Sequence, residues 1–179
     1  MKTYIDQIGR VVRIKEFPER IISLVPSITE LLVDLGLEDR LVGVTKFCVH
    51  PSSLIGEKVL IGGTKNIEST TIASLQPDLI IASKEENVKD QIDALPFPTW
   101  VSDVSSFANA INMISSIGEI TATSKRAKMI IDSIAVHSSI TKKRKVAYLI
   151  WRKPYMTIGG DTFIHNMLAK AGFKNVFAH

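Results

Sequence analysis

The sequence holds one cysteine, Cys48, so no disulfide can form within the chain. That leaves the redox compartment open, because exported proteins need not carry disulfides. Long apolar runs are missing too, and nothing approaches the ~20 consecutive apolar residues that a membrane span requires. Residues 1–6 lack the apolar stretch of a secretory signal, which leaves a cytoplasmic protein or one whose export information lies outside this sequence. Charge of one sign is scarce: 22 basic against 18 acidic residues give +4, too little to argue for a nucleic-acid partner. Also absent are the Gly-x-Gly-x-x-Gly fingerprint, the phosphate-binding Gly-x-x-x-x-Gly-Lys-Ser/Thr loop, the Gly-x-Ser-x-Gly elbow and His-Glu-x-x-His. Their absence removes the best-defined nucleotide and hydrolase chemistries, and no residue is assigned a catalytic role.

What remains is the composition of a globular protein, 45% apolar and 22% charged over 179 residues, enough to bury a core without staples. Short apolar runs alternate with segments of helical period, the pattern of an α/β sheet. Strands are predicted over 21–25, 41–44, 59–61, 79–82 and 99–101. Helices are predicted between them: one with Ser27 and Glu30 at capping-box spacing that stops at Gly36, then 68–75, 85–94 and 107–117, the last halted by Gly118. Residues 1–121 thus form a doubly wound, Rossmann-like lobe. A longer amphipathic helix follows over 122–141, its main run spanning about 25 Å at 1.5 Å per residue. Residues 142–179 then start a second, incomplete α/β lobe, with a strand over 146–150, a helix over 162–171 capped by Asp161, and a strand over 174–177.

Three loops follow strand ends and belong at one edge of the sheet, where open α/β sheets take ligands. They are 46–51, 62–66 and 83–87. Cys48 and His50 on the first could ligate a soft or borderline metal, though two ligands make half a site. Phe47 is either core or a platform for a ligand, and Lys65 and Lys84 are either a solvated rim or anion contacts. A fourth cluster places Trp151, Arg152 and Tyr155 within five positions before the Gly159-Gly160 turn, a mixture suited to recognition by broad contact and charge pairing. His165 receives no role.

Several stretches, in order, resemble a family. Residues 20–32, Arg-Ile-Ile-Ser-Leu-Val-Pro-Ser-Ile-Thr-Glu-Leu-Leu, are similar to the opening strand and helix of the cobalamin- and ferric-siderophore-binding proteins of ABC-type uptake systems. Asn66-Ile67-Glu68 followed by Leu75-Gln76-Pro77-Asp78-Leu79-Ile80, and the lead-in Asp6-Gln7-Ile8-Gly9-Arg10, resemble the same family. So does 168–176 at the start of the second lobe. The resemblance implies a helical-backbone metal receptor: a binding protein rather than an enzyme, without a cofactor, working outside the cytoplasm with an ABC transporter permease. It implies a metal complex as ligand (ferric siderophore, haem or a corrinoid), held between two lobes joined by the long helix. Glu68 matches a glutamate that docks on the permease, Phe47 an aromatic of the cobalamin pocket, and Trp151 a second-lobe loop facing the ligand. Gly62 and Ser83 stand where the cobalamin binder carries tryptophans, and Lys65 and Lys84 make the rim more basic, which suits an anionic complex. Two alternatives stay open: a cytoplasmic metal-binding protein or enzyme using Cys48 and His50, and a nucleic-acid binder using Lys142, Lys143, Arg144, Lys145, Arg152 and Lys153.

Overall fold

The computed structural model describes residues 1–54, 56–134 and 144–179, and they divide into two compact units. The first comprises Met1–Asp103 and Ile114–Met129; the second comprises Val104–Met113 and Ile130–His179.

The first unit opens with strands β1 (Lys2–Ile5) and β2 (Val11–Ile14), paired antiparallel with Lys2 opposite Ile14. Only Val12 and Ile14 of this hairpin face the core, so its sequence carries little apolar signal and no strand was expected there. Its turn is organised by Asp6, a buried carboxylate that accepts from the backbone N–H of Arg10 at 2.7 Å and from Arg10 Nε at 2.8 Å. The same turn bonds Val101, through Gln7 N–H to the Val101 carbonyl at 3.1 Å, and so covers one edge of the main sheet.

The chain then runs β3 (Ile21–Ser23), α1 (Pro26–Asp34), β4 (Leu41–Val44), β5 (Val59–Leu60), α2 (Ser69–Ser74), β6 (Leu79–Ser83), α3 (Lys89–Asp93) and β7 (Thr99–Ser102). The five strands after the hairpin form one parallel sheet in the order β5-β4-β3-β6-β7. Strand β3 and the first four residues of β6 are wholly buried, which is why they read as unbroken apolar runs rather than as alternation. The first strand of the sheet is central, with the next two on one side and the last two on the other. The strand order therefore reverses beside β3, and the loops after β3, β4, β5 and β6 all leave the carboxyl edge.

Two expectations about helix ends in this unit are corrected. Ser27 does not cap α1: Val25 holds the cap position without a side-chain bond, and Pro26, with its φ already helical and no N–H to satisfy, starts the helix. Gly118 does not stop the fourth helix, α4 (Phe107–Ile120), which runs through it. A Cβ at Gly118 would lie 2.4 Å from the Cβ of Ala127 on α5 (Ser124–Ser133), so glycine here permits close helix packing. Gly118→Ala should therefore cost roughly 1 kcal/mol in urea denaturation, overpacking of about 1–3 kcal/mol outweighing a propensity gain of about 1. A stabilised variant would show that the crossing has room.

Of the helix expected over 122–141, the described residues hold α5 alone, 10 residues long and so shorter than α4: Ala122, at φ +60°, and Thr123 precede it, Ile134 is not helical, and residues 135–141 lie outside those described. In the second unit the strand expected over 146–150 is two strands, β8 (Arg144–Val146) and β9 (Leu149–Trp151). Strand β9 turns back antiparallel onto β10 (Met156–Thr157), and β8 pairs in parallel with β11 (Phe173–Asn175) beyond helix α6 (Phe163–Lys170). Thr162, not Asp161, caps α6, its Oγ1 accepting from the His165 N–H at 3.2 Å. Asn175, buried, joins β11 to the rest of the unit by donating to the Ile158 carbonyl at 3.0 Å.

Candidate functional site

At the carboxyl edge of the parallel sheet, three loops are tied into one surface by backbone geometry. Lys46 N–H donates to the Gly62 carbonyl at 2.9 Å, joining the loop after β4 to the loop after β5. The latter folds on itself, with Gly63 N–H bonding the Asn66 carbonyl at 2.8 Å and Glu68 N–H bonding the Ile61 carbonyl at 2.9 Å. Gly62 sits at φ +91°, where a side chain is strained, and a Cβ there would lie 2.5 Å from the Asn66 carbonyl oxygen.

The third loop is fastened by Asn87. Its Oδ1 accepts from Ser83 N–H at 2.8 Å, while Nδ2 donates to the carbonyls of Thr64 at 2.9 Å and Leu24 at 3.3 Å. One buried amide thus joins the loops after β3, β5 and β6 at the point where strand order reverses. It also explains why the helix expected over 85–94 begins only at Lys89: an asparagine that bonds nearby backbone offers the chain a turn in place of a helix. Sequence reading passed over Asn87, because its partners lie 23 and 63 residues away.

Between the first two loops lies a depression of about 400 Å³ lined by Lys46, Phe47, residues 62–66 and Glu68. Phe47 is 52% exposed, and its ring edge comes within 3.2 Å of a Cβ placed on Gly63, so the ring leans on bare backbone. Lys46 Nζ stands 5.3 Å from the Phe47 ring centre. Phe47 and Lys65, expected as ligand contacts, line this recess together, and so does Glu68, expected instead as a docking charge for the permease. Lys65 donates to the Glu85 carbonyl at 2.6 Å, Lys84 is ion-paired with Asp103 at 2.6 Å, and Glu68 Oε2 accepts from Thr71 Oγ1 at 3.0 Å.

The structure removes Cys48 from the expected ligand surface. Its thiol is buried between the hydroxyls of Thr29 at 3.1 Å and Thr45 at 3.2 Å, a small packed side chain rather than an open ligand. His50 is exposed on the same loop, and among the described residues no three His, Cys, Asp or Glu side chains gather as a metal site. Of the basic run considered for nucleic acid, Lys142 and Lys143 lie outside the described residues.

In the second unit Trp151, Arg152 and Tyr155 occupy the β9–β10 hairpin, with Trp151 directly opposite Met156. Trp151 is 63% and Tyr155 69% exposed, and Arg152 is exposed between them.

A central parallel sheet whose carboxyl-edge loops frame a shallow recess is a binding architecture shared by many proteins, and comparison narrows it. The periplasmic binding protein family model matches residues 21–179. The chain belongs to this family. An ABC transporter substrate-binding lipoprotein of Bacillus subtilis, YvrC, is 31% identical over 97% of this chain and 60% of its own length. A crystal structure of a possible iron-binding (periplasmic solute-binding) protein from Staphylococcus epidermidis superposes with a TM-score of 0.77, at 29% identity, over 92% of this chain and 69% of that one. The periplasmic vitamin B12 binding protein of Vibrio cholerae shares the fold at the same TM-score, 24% identity, and 90% and 67% coverage. The chain thus spans about 60% of the length of its B. subtilis relative in the periplasmic binding protein family. Among the described residues no helix is long and apolar enough to cross a membrane.

Proposed function

We propose that this chain belongs to the solute-capturing component of an ABC-type uptake system, and that it binds a metal complex (a ferric siderophore, haem or a corrinoid) without changing it chemically. What carries the proposal is Phe47, an aromatic ring half in solvent at the carboxyl edge of the sheet, braced on the Gly62-Gly63 turn rather than packed in the core. A large exposed aromatic fixed against backbone provides broad contact at little entropic cost, as a flat or globular chelate requires. Relatives named for vitamin B12 in Vibrio parahaemolyticus and for ABC transport in B. subtilis support the same class. In the second unit, Trp151, Arg152 and Tyr155 form an exposed aromatic and cationic surface of their own, suited to ligand contact. Glu68, an exposed carboxylate at the start of α2, serves as the docking charge for the permease, and the protein works on the extracytoplasmic side. The alternative built on Cys48 and His50 loses its thiol to the two threonine hydroxyls.

The test is equilibrium titration with cobalamin, haemin and a panel of ferric siderophores, followed by tryptophan fluorescence corrected for inner-filter absorption and confirmed by equilibrium dialysis. Saturable binding of one class is expected, with Phe47→Ala weakening it by about tenfold or more, the size of a contact worth over ~1.4 kcal/mol. Tight binding that ignores both Phe47→Ala and Trp151→Ala would place the ligand elsewhere on the protein.

A further inference from the structure

Beside the turn that joins β1 to β2, on the flank of the sheet that this turn covers, lies a second hollow of about 170 Å³. It shares no residue with the recess between the loops after β4 and β5. Its apolar walls are Ile8 from the turn, Ile92 from α3 and Val101 from β7; the last two are buried, and Ile8 alone of the three meets solvent. Asn87 also borders it, but that amide is already bonded at both ends, to Ser83 N–H and to the carbonyls of Thr64 and Leu24. The charged side chains at its border are paired as well. Arg10 meets Asp6 at 2.8 Å and Asp93 at 3.1 Å, Lys84 meets Asp103 at 2.6 Å, and Lys89 meets Asp93. The cations there are thus balanced by carboxylates, and the lining itself is overwhelmingly apolar.

We infer that this hollow is a separate binding site for one small, uncharged, apolar molecule, about the size of a benzene ring with one carbon substituent. Size and polarity each narrow the class. An apolar cavity of roughly 150 Å³ takes one benzene ring, and this one is slightly larger. Apolar walls return no hydrogen bond to a polar or ionic guest, whose lost hydration would go uncompensated. An ionic guest would also have to break one of the border pairs to gain a partner, an exchange with little net gain. An apolar ring meets none of these costs, and it covers side-chain surface of Ile8, Ile92 and Val101 that would otherwise face water. The site stands whether or not the recess takes a metal complex, because the two have no wall in common.

The experiment uses three probes that share one ring and differ in charge: toluene, benzoate and benzylammonium. Each is titrated into the 179-residue chain carrying labelled isoleucine and valine methyl groups, with methyl NMR shifts and thermal unfolding as readouts. Toluene is expected to shift the Ile8, Ile92 and Val101 methyls saturably, with a Kd of about 1 mM or tighter, and to raise the Tm. Both charged rings should bind about tenfold more weakly or worse. Ile8→Trp fills the hollow from its solvent side and should abolish the toluene shifts at Ile92 and Val101. Ile5→Trp, at an exposed position of the same hairpin, should leave them unchanged. Overturning results are no saturable shift in toluene-saturated buffer, saturable shifts confined to other methyls, equal binding of a charged ring, or toluene shifts that persist in Ile8→Trp. The three rings are compared on the unsubstituted protein, so that comparison decides the matter even if Ile8→Trp fails to fold.

Discussion

Asn87→Ala should lower the stability of the first unit by about 3 kcal/mol, the loss expected when several part-buried backbone groups are left without their partner. The alanine strands Ser83 N–H and the carbonyls of Thr64 and Leu24, and the loop after β3 loses its side-chain tie to the loops after β5 and β6, which the Lys65 bond to the Glu85 carbonyl still joins to each other. Asn87→Asp sharpens the test. Aspartate can still accept from Ser83 N–H, but its second oxygen faces two carbonyl oxygens where Nδ2 had donated. It should therefore be at least as destabilising as alanine. Urea denaturation of the three proteins measures this directly, and a near-wild-type aspartate variant would mean that the two Nδ2 bonds carry little. Because residues 62–68 frame the recess, ligand affinity should fall in both variants even where most molecules remain folded.

Gly62→Ala should cost about 2–4 kcal/mol and disassemble the recess. Two separate penalties combine. A left-handed or more strained φ costs an L-residue about 1–3 kcal/mol. A Cβ 2.5 Å from the Asn66 carbonyl oxygen must also push that backbone away, breaking the bond from Gly63 N–H on which the turn depends. Gly9 separates the terms: its φ is +83°, yet nothing lies within 4 Å of its absent Cβ. Gly9→Ala should pay the backbone penalty alone, about 1 kcal/mol, and leave ligand binding unchanged. Equal destabilisation by the two substitutions would show that the contact with Asn66 relaxes freely and that the glycine turn is not a rigid brace for Phe47.

Much of this protein was determined by local sequence. The wholly buried runs of β3 and β6, the amphipathic period of α1 and its end at Gly36 (φ +76°) each follow from chemistry within a few residues, so the α/β class and the strand order of events along the chain were readable. The site loops were legible for the same reason, since every parallel strand must deliver its following loop to the same edge. Tertiary structure decided what no local pattern encodes. Cys48 and Phe47 are neighbours in sequence, yet one is enclosed by Thr29 and Thr45 and the other stands in solvent, because α1 brings Thr29, 19 residues distant, over the thiol that Thr45 already flanks. Gly118 reads as a helix stop until Ala127 is packed against it. Lys65 and Lys84 look alike along the chain, and only folding shows that Lys84 is ion-paired with Asp103 while Lys65 bonds the Glu85 carbonyl. Local sequence selects the elements because helix and strand preferences act over a few residues. Which charge is paired and which ring is exposed depends on groups brought together by folding, and in this unit that pairing gives the recess its chemistry.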